Sequence, residues 1–146
     1  MSTDVEQEQR RAEAIAELRT RSMYEAIGGE PALRAVVDRF YDLMHSEPEF
    51  TEVRAMHKAD LGYMRQSLFE FFSGWLGGPN LYIEKHGSPC LTGVHLPLGI
   101  DDTTEQQWMD CMQRAMDEAG VPLKFSELLM PSMRGLAEGM RLRLPG

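Results

Sequence analysis

Apolar residues in this chain recur at intervals of three and four, the spacing that lines one face of an α-helix. Met23, Tyr24, Ala26 and Ile27 form a first short helical turn. The Gly28-Gly29 pair ends it, because glycine accepts the left-handed backbone of a helix stop without steric cost. Glu30-Pro31 opens a helix whose buried face is predicted to be Leu33, Val36, Val37, Phe40, Tyr41 and Met44. A less regular stretch follows Pro48 and ends in Met56-His57-Lys58. A further helix, from Asp60 to about Trp75, carries Leu61, Met64, Leu68, Phe71, Phe72 and Trp75 on one side, and Gly77-Gly78-Pro79 stops it. Asn80 to Gly87 reads as a connecting segment with Tyr82 and Ile83 as its strongly apolar anchors.

The stretch from Leu91 to Met116 organises the remainder. Cys90, Leu91, Val94, His95 and Leu98 read as a short one-faced helix, limited in length by Pro97 and Gly99. Asp101 and Asp102 start the next helix, which turns Trp108, Cys111, Met112, Ala115 and Met116 inward. Gly120 and Pro122 end it. The last helix, with Phe125, Leu128, Leu129, Met133, Leu136 and Met140, is expected to be interrupted and kinked at Pro131. No period-two alternation long enough for paired strands occurs. The expectation is an all-α chain of six or so unequal helices with glycine-rich corners. Residues 1–22 are polar and rich in Glu, Gln, Arg and Ala, and read as an N-terminal extension that is partly helical; residues 23–146 form the domain proper. Packing of the extension against a partner subunit is its functional alternative.

Composition narrows the function. A chain of 146 residues suits one domain, and a net charge of -8 repels nucleic-acid phosphates. No apolar run approaches a bilayer span, and the N-terminus is charged where a signal peptide would be apolar, so the expected location is cytoplasmic. Cys90 and Cys111 are too few and too unpatterned for a disulfide framework or a zinc site, and read as buried thiols.

The candidate chemistry lies in a few polar groups on these apolar faces. Tyr41 points inward, and a buried hydroxyl requires a partner, either a backbone carbonyl or a ligand. His57 in a connecting segment is ordinarily just exposed. The aromatic-rich stripe of Leu61, Met64, Leu68, Phe71, Phe72 and Trp75 is more often plain core than a cofactor wall. His95 and Trp108 stand on either side of a helix break, one able to ligate a metal through a neutral imidazole, the other able only to donate an N–H.

Phe40-Tyr41, the Gly28-Gly29 pair, the run FFSGWLGGP from Phe71 to Pro79, the connection ending in His95, and Trp108 together resemble the group II truncated haemoglobins. The resemblance runs from about Met23 to Met116 and extends loosely to the last helix. It implies a two-over-two helical globin fold around haem b, with His95 as the proximal metal ligand. It further implies Tyr41, His57 and Trp108 on the distal side, Met64 and Leu68 over the haem, and Phe71, Phe72, Leu91 and Met112 among the haem contacts. Dioxygen, nitric oxide, carbon monoxide or peroxide would be the small ligands, with an unidentified reductase as partner and a homodimer as one option. Tyr41 offers O–H, Trp108 offers N–H, and His57 offers either ring nitrogen according to its tautomer. Each hydrogen bond to a charged ligand is worth about 1.5–3 kcal/mol, so two would slow gas release by roughly two to four decades. Met64 departs from the small or polar residue of many relatives and makes one wall of the pocket apolar. Nitric oxide oxidation is an activity that the resemblance permits; a peroxidase-type enzyme using His57 as distal base is the alternative, and a haem-free helical interaction module is the third. His57 is expected to remain at hydrogen-bonding distance rather than ligate the metal.

Overall fold

The computed structural model describes residues 4–57, 61–86 and 101–142, the side chains of residues 86 and 139–142 excepted. Its helices are α1 (Asp4–Leu18), α2 (Met23–Ile27), α3 (Gly29–Ser46), α4 (Thr51–Ala55), α5 (Leu61–Trp75), α6 (Leu81–His86), α7 (Asp102–Glu118) and α8 (Leu123–Leu142), with a 3-10 turn at Pro48–Phe50 before α4. Among the described residues there is no strand. The short helix expected around His95, with Cys90, Leu91, Val94 and Leu98, lies outside the described residues.

Local chemistry sets the helix ends. Ser22 caps α2 by accepting the Glu25 N–H at 3.1 Å, and Gly28, at φ 119°, ends it by donating to the Glu25 carbonyl. The first residue of α3 is Gly29, one position before the expected Glu30. Asp101 caps α7 reciprocally: its carboxylate accepts the Thr104 N–H at 2.9 Å while the Thr104 hydroxyl accepts the Asp101 N–H at 3.0 Å. The Thr104 backbone N–H, and after it the Thr104 hydroxyl, which donates to the same carboxylate at 3.1 Å, hold the Asp101 carboxyl below its ordinary range.

Helix α3 is the hub, packing against both α5 and α7, while α7 packs on α8. Its inward face buries Leu33, Val36, Val37, Phe40, Tyr41 and Met44 as the periodicity predicts, and Leu43 besides. From α7, Met109, Cys111, Met112, Ala115 and Met116 meet this face. Close approach tightens the corner after α5. The Tyr24 N–H donates to the Leu76 carbonyl at 3.0 Å, and a β-carbon at Gly78 would lie 2.5 Å from the Tyr24 ring. Only glycine fits there.

Two expectations are corrected. Residues 81–86, expected as a connecting segment, form α6, because Leu81 packs on the core and Tyr82 meets Phe71 edge-on at 6.1 Å. So short a helix is held by tertiary packing rather than by its own pattern. The last helix is not interrupted: α8 runs unbroken through Pro131, which removes one backbone donor while Phe125, Leu129, Met133 and Ala137 keep the helix packed on both sides of it.

The N-terminal residues form one continuous helix, α1, lying on α8. Ala14 is fully buried in that contact, Arg10 donates to Glu127 at 2.5 and 3.2 Å, and Lys124 meets Glu17 at 3.2 Å. No helix among the described residues is long and apolar enough to cross a membrane.

Candidate functional site

The pattern that buries one face of α3 also carries Tyr41 into the interior, where it is 3% exposed. Its ring meets the edge of Phe40 at 5.0 Å and of His57 at 5.9 Å. Phe40 in turn meets Trp108 of α7 edge-on at 5.4 Å. Tyr41, His57 and Trp108, brought from three elements, therefore belong to one aromatic chain with Phe40 at its centre. Burial pushes the Tyr41 phenol well above its ordinary value, against the weaker opposing pull of the Arg65 guanidinium. The group is thus a neutral O–H donor at any physiological pH. Among the described residues nothing accepts that proton, and the Trp108 N–H likewise has no acceptor there.

His57 is buried to 8% exposure at the end of the irregular stretch after α4, contrary to the ordinary fate of a histidine in a connection. Its Nδ1 lies 2.8 Å from the Val53 carbonyl. A carbonyl only accepts, so Nδ1 carries the proton, and the tautomer that periodicity left open is assigned. Further bonds fix this stretch. Gln107, beside Trp108 on α7, accepts the Val53 N–H at 3.0 Å and also bonds Glu52, while Arg54 donates to the His57 carbonyl at 2.7 Å.

The apolar candidates divide into two sets. Phe72 and Met112 are buried to 2% and 0% exposure and belong to the core. Met64, Leu68, Phe71 and Trp75 on α5, together with Trp108, are only half-buried although they pack against that core. The apolar row of α5 and the Trp108 ring are therefore incompletely covered by the described residues, and the Tyr41 and Trp108 donors stay unspent among them. His95 and Leu91 lie outside the described residues, and among those described no group of His, Cys, Asp and Glu is arranged to hold a metal ion.

Sequence reasoning missed three participants. Phe40 was placed on the buried face and in the family pattern but given no part in the site, yet it joins Tyr41 to Trp108. Gln107 carried no signal beyond its place next to Trp108. Arg65, next to Met64, bridges α5 to α3 with its guanidinium 6.0 Å from the Tyr41 ring centre. No spacing rule identifies such a residue, because its acceptors lie on another helix. Cys111 is a buried thiol as expected; it donates to the Phe40 carbonyl at 3.2 Å, and burial pushes it up to about 12, so it is inert near neutral pH. Cys90 lies outside the described residues.

Known proteins share this arrangement of helices. The bacterial-like globin family matches residues 22–142. Group 2 truncated hemoglobin YjbI of Bacillus subtilis is 36% identical over 117 residues, covering 80% of this chain and 86% of its own length. A solved group II 2-on-2 hemoglobin from Agrobacterium tumefaciens superposes with a TM-score of 0.80 at 39% identity, covering 83% of this chain and 94% of that one. A cold-adapted truncated hemoglobin from the Antarctic marine bacterium Pseudoalteromonas haloplanktis does so with a TM-score of 0.79 at 40% identity, over 82% of this chain and 97% of that one. With the match spanning α2 to α8 and the two-over-two helical packing on which it rests, this chain belongs to the bacterial-like globin family, among its group II truncated haemoglobins.

Proposed function

We propose that the chain binds haem b through His95 and holds dioxygen or another diatomic gas at a five-coordinate iron, under Tyr41 and Trp108. The observation that carries this reading is the pair of unspent donors, the Tyr41 O–H and the Trp108 N–H, joined through Phe40, in a fold that also leaves the apolar row of α5 half-covered. A flat apolar group fits that face: Met64, Leu68, Phe71 and Trp75 supply contact area along α5, and closing over them removes the exposed apolar surface from water. His95, as a neutral imidazole, would be the protein's ligand to the iron; Leu91 would complete the contacts from the same stretch, with Phe72 and Met112 supporting the wall from behind.

When bound, haem supplies one open coordination position and the electron density that leaves a gas such as dioxygen partly negative. The protein's part is to meet that charge. Tyr41 donates an O–H whose proton stays on at neutral pH, and Trp108 donates an N–H that cannot titrate at all. Both act in a dry pocket, where a fixed donor is worth more than in water. His57, tied through Nδ1 to Val53, orients the edge of the Tyr41 ring and is held back from the metal by its own backbone bond. Met64 adds bulk and no polarity. The product is slow release, poorly suited to carrying oxygen and well suited to using it. Nitric oxide, dioxygen and one electron balance to nitrate, so nitric oxide detoxification needs a reductase partner to resupply the electron.

Reconstitution with haem, followed by absorption spectroscopy, tests the proposal. One-to-one binding, loss of the normal ferric and ferrous spectra in His95→Ala, and oxygen release quickened about tenfold or more in Tyr41→Phe are the expected results. A chain that retains no haem, or an unchanged spectrum in His95→Ala, sinks it. Peroxide turnover in His57→Ala separates the peroxidase-type alternative: under the gas-binding reading the substitution changes mainly the release rate.

A further inference from the structure

Arg65 has a specific setting for which the gas-binding reading has no use. It follows Met64 on α5, and its side chain is 27% exposed. One guanidinium nitrogen donates to the backbone carbonyl of Asp38 at 2.9 Å and to the Asp38 carboxylate at 3.3 Å; the other donates to the Asp42 carboxylate at 2.5 Å. Asp38 and Asp42 lie on consecutive turns of α3 and flank Tyr41. A single planar fork thus grips the part of α3 that carries the phenol. Lysine, a point charge on a flexible stem, lacks the rigid planar fork that matches these acceptors.

Most ion pairs at a surface contribute little, because water competes for both partners. Two features set this one apart. One of its acceptors is a main-chain carbonyl, which cannot swing away, and the guanidinium carbon lies 6.0 Å from the centre of the Tyr41 ring. That distance is at the outer limit of a cation–π contact, so direct polarisation of the phenol is the smaller effect. The mechanical link is more direct: the bridge ties α5, next to Met64, to the turns of α3 that flank Tyr41.

We infer that Arg65 is a positioning residue for the Tyr41 hydroxyl, bridging Asp38 and Asp42 so that α5 is held at the spacing in which the phenol donates to a bound gas. The inference rests on the reading of Tyr41 as a ligand donor. Arg65 touches no ligand; it acts through the spacing of α3 and α5. Hydrogen bonds depend steeply on distance and angle, so a loosened bridge weakens the donation without removing the donor.

A double-mutant cycle provides the test. Oxygen release and the infrared stretch of bound carbon monoxide are measured in the haem-loaded wild type, Tyr41→Phe, Arg65→Ala, Arg65→Lys and the Tyr41→Phe/Arg65→Ala pair, while amide exchange along α3 and α5 is followed in the haem-free chains. Arg65→Ala is expected to quicken release about three- to tenfold, move the stretch toward its Tyr41→Phe value and speed amide exchange near Tyr41. Arg65→Lys recovers only part of this, and Asp42→Asn, which keeps the arginine, shifts all three readouts in the same direction. In the Tyr41→Phe background Arg65→Ala adds less than about twofold. An equal effect of Arg65→Ala in both backgrounds, or none on rate and stretch while Tyr41→Phe responds, overturns the inference alone. A silent Tyr41→Phe removes the ligand-donor reading and the inference together.

Discussion

Two helix contacts in this protein are built from opposite materials. Where α3 packs on α7, the centre of the interface is dry: Phe40, Val37, Met44, Cys111, Met112, Ala115 and Met116 are buried, a thiol-to-carbonyl bond from Cys111 to Phe40 supplies a polar link, and the ion pair of Arg39 with Glu118 stands at the partly exposed rim. Where α1 lies on α8, one alanine is fully buried and the contact is fastened by partly exposed ion pairs, Arg10 to Glu127 and Lys124 to Glu17. The first contact positions the ligand donors, because Tyr41 and Trp108 stand on its two helices. The second lies outside the family match at residues 22–142, at least on the α1 side. A site that must keep two donors aimed at a small molecule gains from a packed centre that neither salt nor pH alters. A flanking helix needs only to be attached.

Opening the dry contact has the largest expected effect. Phe40→Ala removes a fully buried ring that touches both Tyr41 and Trp108, and should cost about 3–5 kcal/mol in urea unfolding, with little dependence on salt. A cost below about 1 kcal/mol would mean that Phe40 is not the keystone of that contact. The same substitution should quicken gas release even under conditions where the protein stays folded.

Removing residues 1–20 tests the other contact. The remaining chain keeps the whole family match and is expected to fold, with a melting temperature lower by about 5 °C from the lost packing of Ala14 and Leu18. A truncated chain without cooperative unfolding would show that α1 is integral to the core.

The smallest effect concerns the charges. The Lys124 ammonium holds the Glu17 carboxyl below its ordinary value, and the Arg10 guanidinium does the same for Glu127. A carboxylate depressed in the folded state contributes stability above its unfolded value, near pH 4.5, and loses it as the pH falls through the lower folded value. The difference in melting temperature between the full and truncated chains should therefore shrink on acidification below about pH 4.5, and also in high salt, which screens exposed pairs. A difference independent of both would locate the attachment in apolar contact alone.

The helical architecture was largely legible because most helices here have one wet and one dry face. The buried row of α3 follows from spacing, and so does the inward set of α7 from Met112 to Met116. Helix ends were legible where a residue has a unique local role, as at Gly28 with its positive φ and at Asp101 with its capping carboxylate. Helix α6 was not, since a helix that short forms only on a neighbour. The continuity of α8 was hidden for the same reason: the intrinsic cost of Pro131 is local, while the packing that outweighs it comes from the rest of the fold.

Part of the candidate site was written in residue types and the rest in positions. A tyrosine on a buried helical face is a donor in need of an acceptor, and a tryptophan is a donor in any setting; these follow from the chain itself. Contacts between helices follow no sequence period. Only the tertiary structure joins Tyr41, Phe40 and Trp108 into one aromatic chain, assigns the proton of His57 through the Val53 carbonyl, and places Arg65 across Asp38 and Asp42. The physical reason is range. Hydrophobic periodicity and capping act within one or two helical turns, whereas the distance and angle of a hydrogen bond across helices depend on how every buried side chain between them has packed.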